Sequence, residues 1–186
     1  MPQGNMSASS DEHERQAARE ARDQPVRCAV LTISDTRDRD SDESGALVGR
    51  LLAGSGHEVV ARDLVPDEPQ LIAARLEPWL GNPRIQAVLT TGGTGISPRD
   101  NTIEVVRGLL TMELEGFGEL FRMLSFPRVK AAAMLSRAVG GLVARDAEAG
   151  GDTFLFAMPG SADAVETAVS ELIAPQLAHL VWLRSR

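Results

Sequence analysis

The stretch of this sequence best suited to chemistry is Thr90-Thr91-Gly92-Gly93-Thr94-Gly95, where an apolar run begun at Ile85 ends. Glycines at a strand end let the backbone approach a phosphate closely, and Thr91 and Thr94 add hydroxyl donors. A helix starting after Pro98 would contribute unpaired N–H groups and the positive end of its dipole. An ordinary strand-to-helix turn also uses glycine where φ is positive, and an isolated glycine pair would read that way. Three glycines with threonines behind a buried strand favour phosphate binding instead. Two common nucleotide patterns are excluded: no Gly-Lys-Ser/Thr follows, and the dinucleotide pattern needs glycine where Pro98 stands.

Acidic side chains occupy similar positions nearby. Asp67 follows Val65-Pro66 and Asp100 follows Arg99, so both are expected on the sheet rim that carries the glycines. Carboxylates there suit Mg²⁺, which prefers oxygen and is usually held through one or two carboxylates plus substrate phosphates. Helix capping is the competing account, because Asp67 with Gln70 and Asn101 with Glu104 both have capping-box spacing. Met158-Pro159-Gly160-Ser161 is a second small-residue loop between strand and helix, where Ser161 serves either as an N-cap or as part of another anion seat. Arg122 and Arg137 are candidate counter-charges, although most arginines are solvated surface residues. His13, His57 and His179 lack metal-ligand spacing and read as structural.

The elements that must position these residues alternate in type. Residues 26–33, 57–65 and 85–90 read as buried strands, and 43–53, 71–80, 102–110 and 118–125 as helices. Gly54-Ser55-Gly56 and Gly81-Asn82-Pro83 supply stops for the first two helices. Residues 136–143 and 153–157 read as strands that could pair across the loop 145–152, and helices at 162–173 and 176–183 close the chain. The pattern predicts a three-layer α/β/α fold with a mainly parallel central sheet and room for one antiparallel edge pair. Phe117, Leu120, Phe121 and Leu124 form an apolar stripe that suits core or subunit interface.

Composition narrows the classes further. Among 186 residues, 43% are hydrophobic and 24% charged, which fits one globular domain spanning 25–186. Residues 1–24 hold almost no large apolar side chains and read as a disordered acidic and polar tail, without the apolar centre of a secretory signal. No run approaches the roughly 20 apolar residues of a membrane span, so the cytoplasm is the expected location. A net charge of −7 argues against nucleic acid as a partner. Cys28 is the lone cysteine and reads as a buried thiol without a catalytic role.

Taken together, six segments resemble one family in its own motif order. They are Leu31-Thr32-Ile33-Ser34-Asp35-Thr36-Arg37, Val65-Pro66-Asp67-Glu68, Thr90 to Gly95 with Arg99-Asp100, Glu115-Gly116-Phe117-Gly118-Glu119-Leu120-Phe121-Arg122, Ser136-Arg137-Ala138 and Met158-Pro159-Gly160-Ser161. The family is that of molybdenum cofactor biosynthesis protein B and the molybdopterin adenylyltransferases, and the wording from Gly116 to Arg122 is similar to the protein B branch. The resemblance implies a molybdopterin-binding fold, assembly as homotrimers or homohexamers, and molybdopterin as ligand. In the adenylyltransferase branch it implies Mg²⁺-dependent transfer of AMP from ATP to the terminal phosphate of molybdopterin. The family's two essential aspartates match Asp67 and Asp100, which the resemblance casts as organisers of Mg²⁺ or nucleotide. Its phosphate and pterin contacts match Ser34, Asp35, Thr91, Gly92, Gly93, Thr94, Gly95, Gly116, Glu119, Ser136, Arg137, Pro159, Gly160 and Ser161. Lys130 departs from the pattern, which has a small residue there, often glycine. Three functions follow as competitors: an adenylyltransferase, a non-catalytic oligomeric carrier of molybdopterin, and a scaffold docking a pathway partner on the 117–124 stripe.

Overall fold

The apolar run after Pro25 forms strand β1, Arg27–Ile33, in which every residue from Cys28 onward is buried. Helix α1 (Glu43–Gly54), β2 (Glu58–Val65), α2 (Pro69–Leu80), β3 (Ala87–Thr91) and α3 (Thr102–Leu109) follow. Next come a two-residue β4 (Met112–Glu113), α4 (Glu115–Val129), a 3-10 stretch Lys130–Leu135, β5 (Val139–Val143) and β6 (Thr153–Met158). The C-terminal helix has three parts: α5 (Ala162–Glu166), a π segment Thr167–Ile173 and α6 (Ala174–Arg184). These elements belong to a computed structural model that describes residues 25–145 and 151–184; the tail 1–24 and most of the loop 145–152 lie outside the described residues, as does His13.

One six-stranded sheet runs in the order β2-β1-β3-β6-β5-β4. The first four pair in parallel, whereas β5 runs antiparallel to both β6 and β4. Alternate residues of β1 and β3 enter opposite cores. Cys28, Val30, Ala87 and Leu89 pack with Val48 and Leu52 of α1, Phe117 and Phe121 of α4, and the C-terminal helix. Ala29, Leu31 and Val88 pack with Ile72 and Leu76 of α2 and Ile103 and Val106 of α3. A helix layer therefore covers each face, as the alternation of strand and helix predicts. Because β1 leads through α1 to one neighbour and β3 lies on its other side, the loops after β1 and β3 part at their carboxyl ends and open a crevice.

Several boundaries differ from expectation for identifiable reasons. Helix α4 begins at Glu115 rather than 118 because Phe117 anchors it, stacking 5.2 Å edge-on to Phe156 and 6.5 Å from Phe121. The stripe 117–124 accordingly splits: Phe117 and Phe121 are core, while Leu120 and Met123 face outward. Strand β5 starts three residues late, at Val139, since Ser136 and Arg137 belong to a loop with other contacts. The final helix runs through position 174–175 as one body, and Pro175, which has no N–H to donate, lies two residues after the end of the π segment at Ile173. Lys130, at the end of α4, has φ 53° and ψ −135°, a conformation that favours glycine. Burial pushes the Cys28 thiol up to about 12, so it is protonated at neutral pH.

Candidate functional site

Strand β3 ends at Thr91 and its loop turns at once through two positive-φ glycines, Gly92 (98°) and Gly93 (60°). The turn is tight on every side. A Cβ on Gly92 would overlap the Ile33 carbonyl, and one on Gly160 would lie 3.4 Å from the Gly92 Cα, so the ends of β1, β3 and β6 meet here. The Gly92 N–H donates to the Met158 carbonyl (3.1 Å), and the Thr91 hydroxyl to that of Pro159 (3.3 Å). Among the described residues no acceptor engages the N–H groups of Gly93, Thr94, Gly95 or Ile96. A run of such free amides in a tight loop is a concavity for an anion.

Asp67 and Asp100 both border this turn. A Cβ on Gly93 would strike Asp67 Oδ2 and the Thr102 hydroxyl, and one on Gly95 would come within 2.7 Å of Asp100 Oδ2. Asp67 is buried, its Oδ1 accepting from the Asn101 N–H (3.3 Å), while its own N–H donates to Asp35 Oδ1 (3.0 Å). Burial raises its carboxyl above the usual range, assisted by the charges of Asp100 and Asp35 and opposed by the Asn101 N–H and Arg99. Asp35 also pairs with Arg99 at 3.1 Å, which ties the β1 loop to the glycine loop. Asp100 Oδ2 accepts from the Ser97 N–H at 2.7 Å.

Neither capping box forms. Helix α2 is capped at Glu68 without a side-chain bond, and Asn101 turns its amide to the Arg99 carbonyl, so Asp67 is left pointing at the loop. Ser161 does cap α5, accepting from the Ala164 N–H at 3.4 Å. The donor set suits a hard cation bound chiefly through substrate phosphates: two carboxylates and the buried Thr102 hydroxyl, which has no partner. Among the described residues no three His, Cys, Asp or Glu side chains converge into a complete protein cage.

Other expected residues spread along the same rim or away from it. Ser34 accepts from the N–H groups of Thr36 and Arg37 (3.3 and 3.2 Å), shaping the β1 loop. Ser136, Pro159 and Ser161 line a small cavity of about 70 Å³ with Ser125, Arg128 and Thr167. Gly160 and Ser161 also border a cleft of about 450 Å³ with Arg37 and Arg50. Glu119 and Arg122 lie instead in a cleft of about 350 Å³ beside Arg107 and Ala138, and Gly116 is exposed in the first turn of α4. Among the described residues, no hydrogen bond or ion pair joins Gly116 or Glu119 to the glycine loop.

Two supporting groups escaped the sequence reading. Asp42 is a buried N-cap that accepts from Gly45 N–H (2.8 Å), the Thr32 hydroxyl (2.9 Å) and Arg62 Nη2 (2.8 Å). Burial opposes its ionisation, but the Gly45 and Arg62 bonds outweigh it and hold the carboxyl below the usual range. Its place just before helix α1 was the available signal. Glu104, one turn into α3, holds Arg137, and nothing in their spacing announces that pair.

A layered α/β protein with unpaired loop amides and two carboxylates beside its sheet switch point has the geometry of an open α/β ligand crevice. Comparison with known proteins gives the family. Residues 29–179 match the family described as a probable molybdopterin binding domain. Molybdenum cofactor biosynthesis protein B of Bacillus cereus is 43% identical over 172 residues, covering 92% of this chain and 95% of the relative. The protein of that name from Staphylococcus aureus is 46% identical over 84% of this chain and 90% of its own. A crystal structure of molybdenum cofactor biosynthesis protein B superposes with a TM-score of 0.80 at 43% identity, covering 86% of this chain and 96% of the other. This chain belongs to the molybdenum cofactor biosynthesis protein B family.

Proposed function

We propose that the protein binds molybdopterin and transfers AMP from Mg-ATP to its terminal phosphate. The observation that carries this reading is the loop Gly93–Ile96, whose free N–H groups stand between Asp67 and Asp100. In the reaction an oxygen of the molybdopterin phosphate attacks the α-phosphorus of ATP, the bond to the bridging β-oxygen breaks, and pyrophosphate leaves with its electron pair. A phosphate monoester is already anionic, so no strong base and no covalent enzyme intermediate is needed. Amides of the loop bind phosphoryl oxygens, while Ser34, Asp35 and the 159–161 loop fix the ligands' orientation. Asp67 and Asp100 would hold Mg²⁺, whose chemistry is to neutralise charge gathering on the phosphates. Ionisation of Asp67 is disfavoured without a cation, and that is consistent with the assignment.

Oligomerisation belongs to the same reading. Leu120, Met123, Phe126, Met134 and Leu135 leave an exposed apolar surface on α4 and the 3-10 stretch, which supports a homotrimer or homohexamer. A reaction that consumes ATP supports the cytoplasm as the compartment. A carrier that binds molybdopterin without turnover is the second reading, supported by the match to molybdenum cofactor biosynthesis protein B relatives, whose names state no transfer activity. Incubation with molybdopterin, ATP and Mg²⁺ separates the two. Adenylylated pterin with stoichiometric pyrophosphate supports transfer, and tight pterin binding with ATP unconsumed supports the carrier.

A further inference from the structure

Arg137 meets the glycine loop and its continuation at three backbone carbonyls. Its Nε donates to the Thr94 carbonyl (2.9 Å), and its Nη2 to the carbonyls of Gly95 (2.5 Å) and Asp100 (3.1 Å). Its Nη1 is taken by Glu104, which also lies 3.4 Å from Nη2. A guanidinium has five N–H groups, so at most one is left over for a ligand. We propose that Arg137 and Glu104 are a positioning pair: they shape the anion-binding face of the loop from behind, and Arg137 does not itself grip the phosphate.

Peptide geometry supplies the mechanism. Among the described residues every peptide is trans, and in a planar trans peptide the N–H points opposite to the C=O. Drawing the carbonyls of Thr94, Gly95 and Asp100 toward one guanidinium therefore turns the N–H groups of Gly95, Ile96 and Asn101 away from it. The Asn101 N–H confirms the direction, since it meets Asp67 Oδ1 at 3.3 Å. The amides of Gly95 and Ile96, turned from the guanidinium by the same geometry, have no acceptor among the described residues. Glu104 decides the rotamer of Arg137 by pairing with its terminal nitrogens, and that pairing holds the Glu104 carboxyl below its usual range. The arrangement rests on the proposal that this loop seats phosphate.

The test turns on a sign. Glu104 is more than half exposed and carries a negative charge near an anion site, so Glu104→Gln should tighten anion binding if charge alone matters. If Glu104 positions Arg137, the same change weakens it. Calorimetric titration of the full chain with Mg-ATP and with inorganic pyrophosphate is expected to show about a tenfold loss for Glu104→Gln, the loss of one charge-assisted contact. Arg137→Lys, which keeps the charge and loses the fork, should lose as much, and the double variant no more than either. Thermal midpoints of Glu104→Gln and wild type should agree within about 2 °C, because Glu104 is more than half exposed and a solvated ion pair adds little stability. Unchanged or tighter binding by Glu104→Gln, or additive losses in the double variant, would overturn the positioning role while leaving phosphate binding intact. Wild-type protein that binds neither probe would overturn both.

Discussion

Among the described residues, Lys130 is the one non-glycine residue with positive φ, and its backbone offers a clean measurement. At φ 53° and ψ −135° the Cβ of an L-residue crowds its own carbonyls, a cost of about 1–3 kcal/mol. Glycine removes that strain but brings extra freedom in the unfolded chain, worth about 0.4–1 kcal/mol against it. Lys130→Gly should therefore stabilise the fold by about 1–2 kcal/mol, and the cap bond from its N–H to the Phe126 carbonyl is kept. For a chain of this size that corresponds to a midpoint about 3–6 °C higher by calorimetry at equal protein concentration. Lys130→Ala is the necessary control. Alanine keeps Cβ and hence the strain, so it should gain almost nothing. An alanine variant that gains as much as the glycine variant would show that the side chain, not the backbone, was responsible, and the strain argument would be refuted.

On the proposed adenylyl transfer, Asp100→Asn should lower turnover by orders of magnitude with an unchanged circular dichroism spectrum, because it would remove a charge assigned to the reacting phosphates; full activity would contradict the assignment. Asp67→Asn should raise the thermal midpoint of the ligand-free protein at neutral pH while impairing turnover. The sign follows from the raised carboxyl: its protonated form favours the folded state, and that contribution is lost as pH rises through the folded-state pKa, so removing the charge helps only above it. A gain at neutral pH that vanishes near pH 3 is the expected profile. Gly92→Ala should fail to accumulate as folded protein, since its Cβ would overlap the rigid Ile33 carbonyl at φ 98°, whereas Gly54→Ala, with open space around it, should be at least as stable as wild type.

What the sequence makes legible is whatever repeats locally. Alternation of apolar runs locates β1 to β3 and their helices, and glycines in a row mark a turn that only glycine can make at Gly92 and Gly93. Strand ends on one rim then bring Asp67, Asp100 and the glycines together, as the α/β pattern requires. Pairings across elements leave no such trace. Asp42 and Arg62 are twenty positions apart, Glu104 and Arg137 thirty-three, and each depends on how neighbouring strands register. Strand β4 is two residues long and has no period to read. Capping spacing even misleads at Asp67 and Asn101, because Asp67 accepts from the distant Asn101 N–H and Asn101 turns its amide back to the Arg99 carbonyl.

The reversed strand explains how residues from the second half of the chain join a site built by the first. Parallel strands β1, β2, β3 and β6 present their carboxyl ends to the crevice, so their following loops carry Ser34, Asp67, Gly92 and Gly160. A fifth parallel strand could offer only another such loop. Because β5 runs the other way, it is its beginning that reaches this rim, and the residues just before it, Ser136 and Arg137, arrive at the glycine loop. Val139 pairs with Ala157, one residue before the end of β6, which fixes that approach to the register of the sheet itself. Slippage of β5 by one residue would withdraw the guanidinium from the Thr94 and Gly95 carbonyls and turn Val139 out of its core. Arg137 is thus held in place by the same packing of Val139 that anchors the strand, so the loop's shape is coupled to the core and not to surface side chains alone.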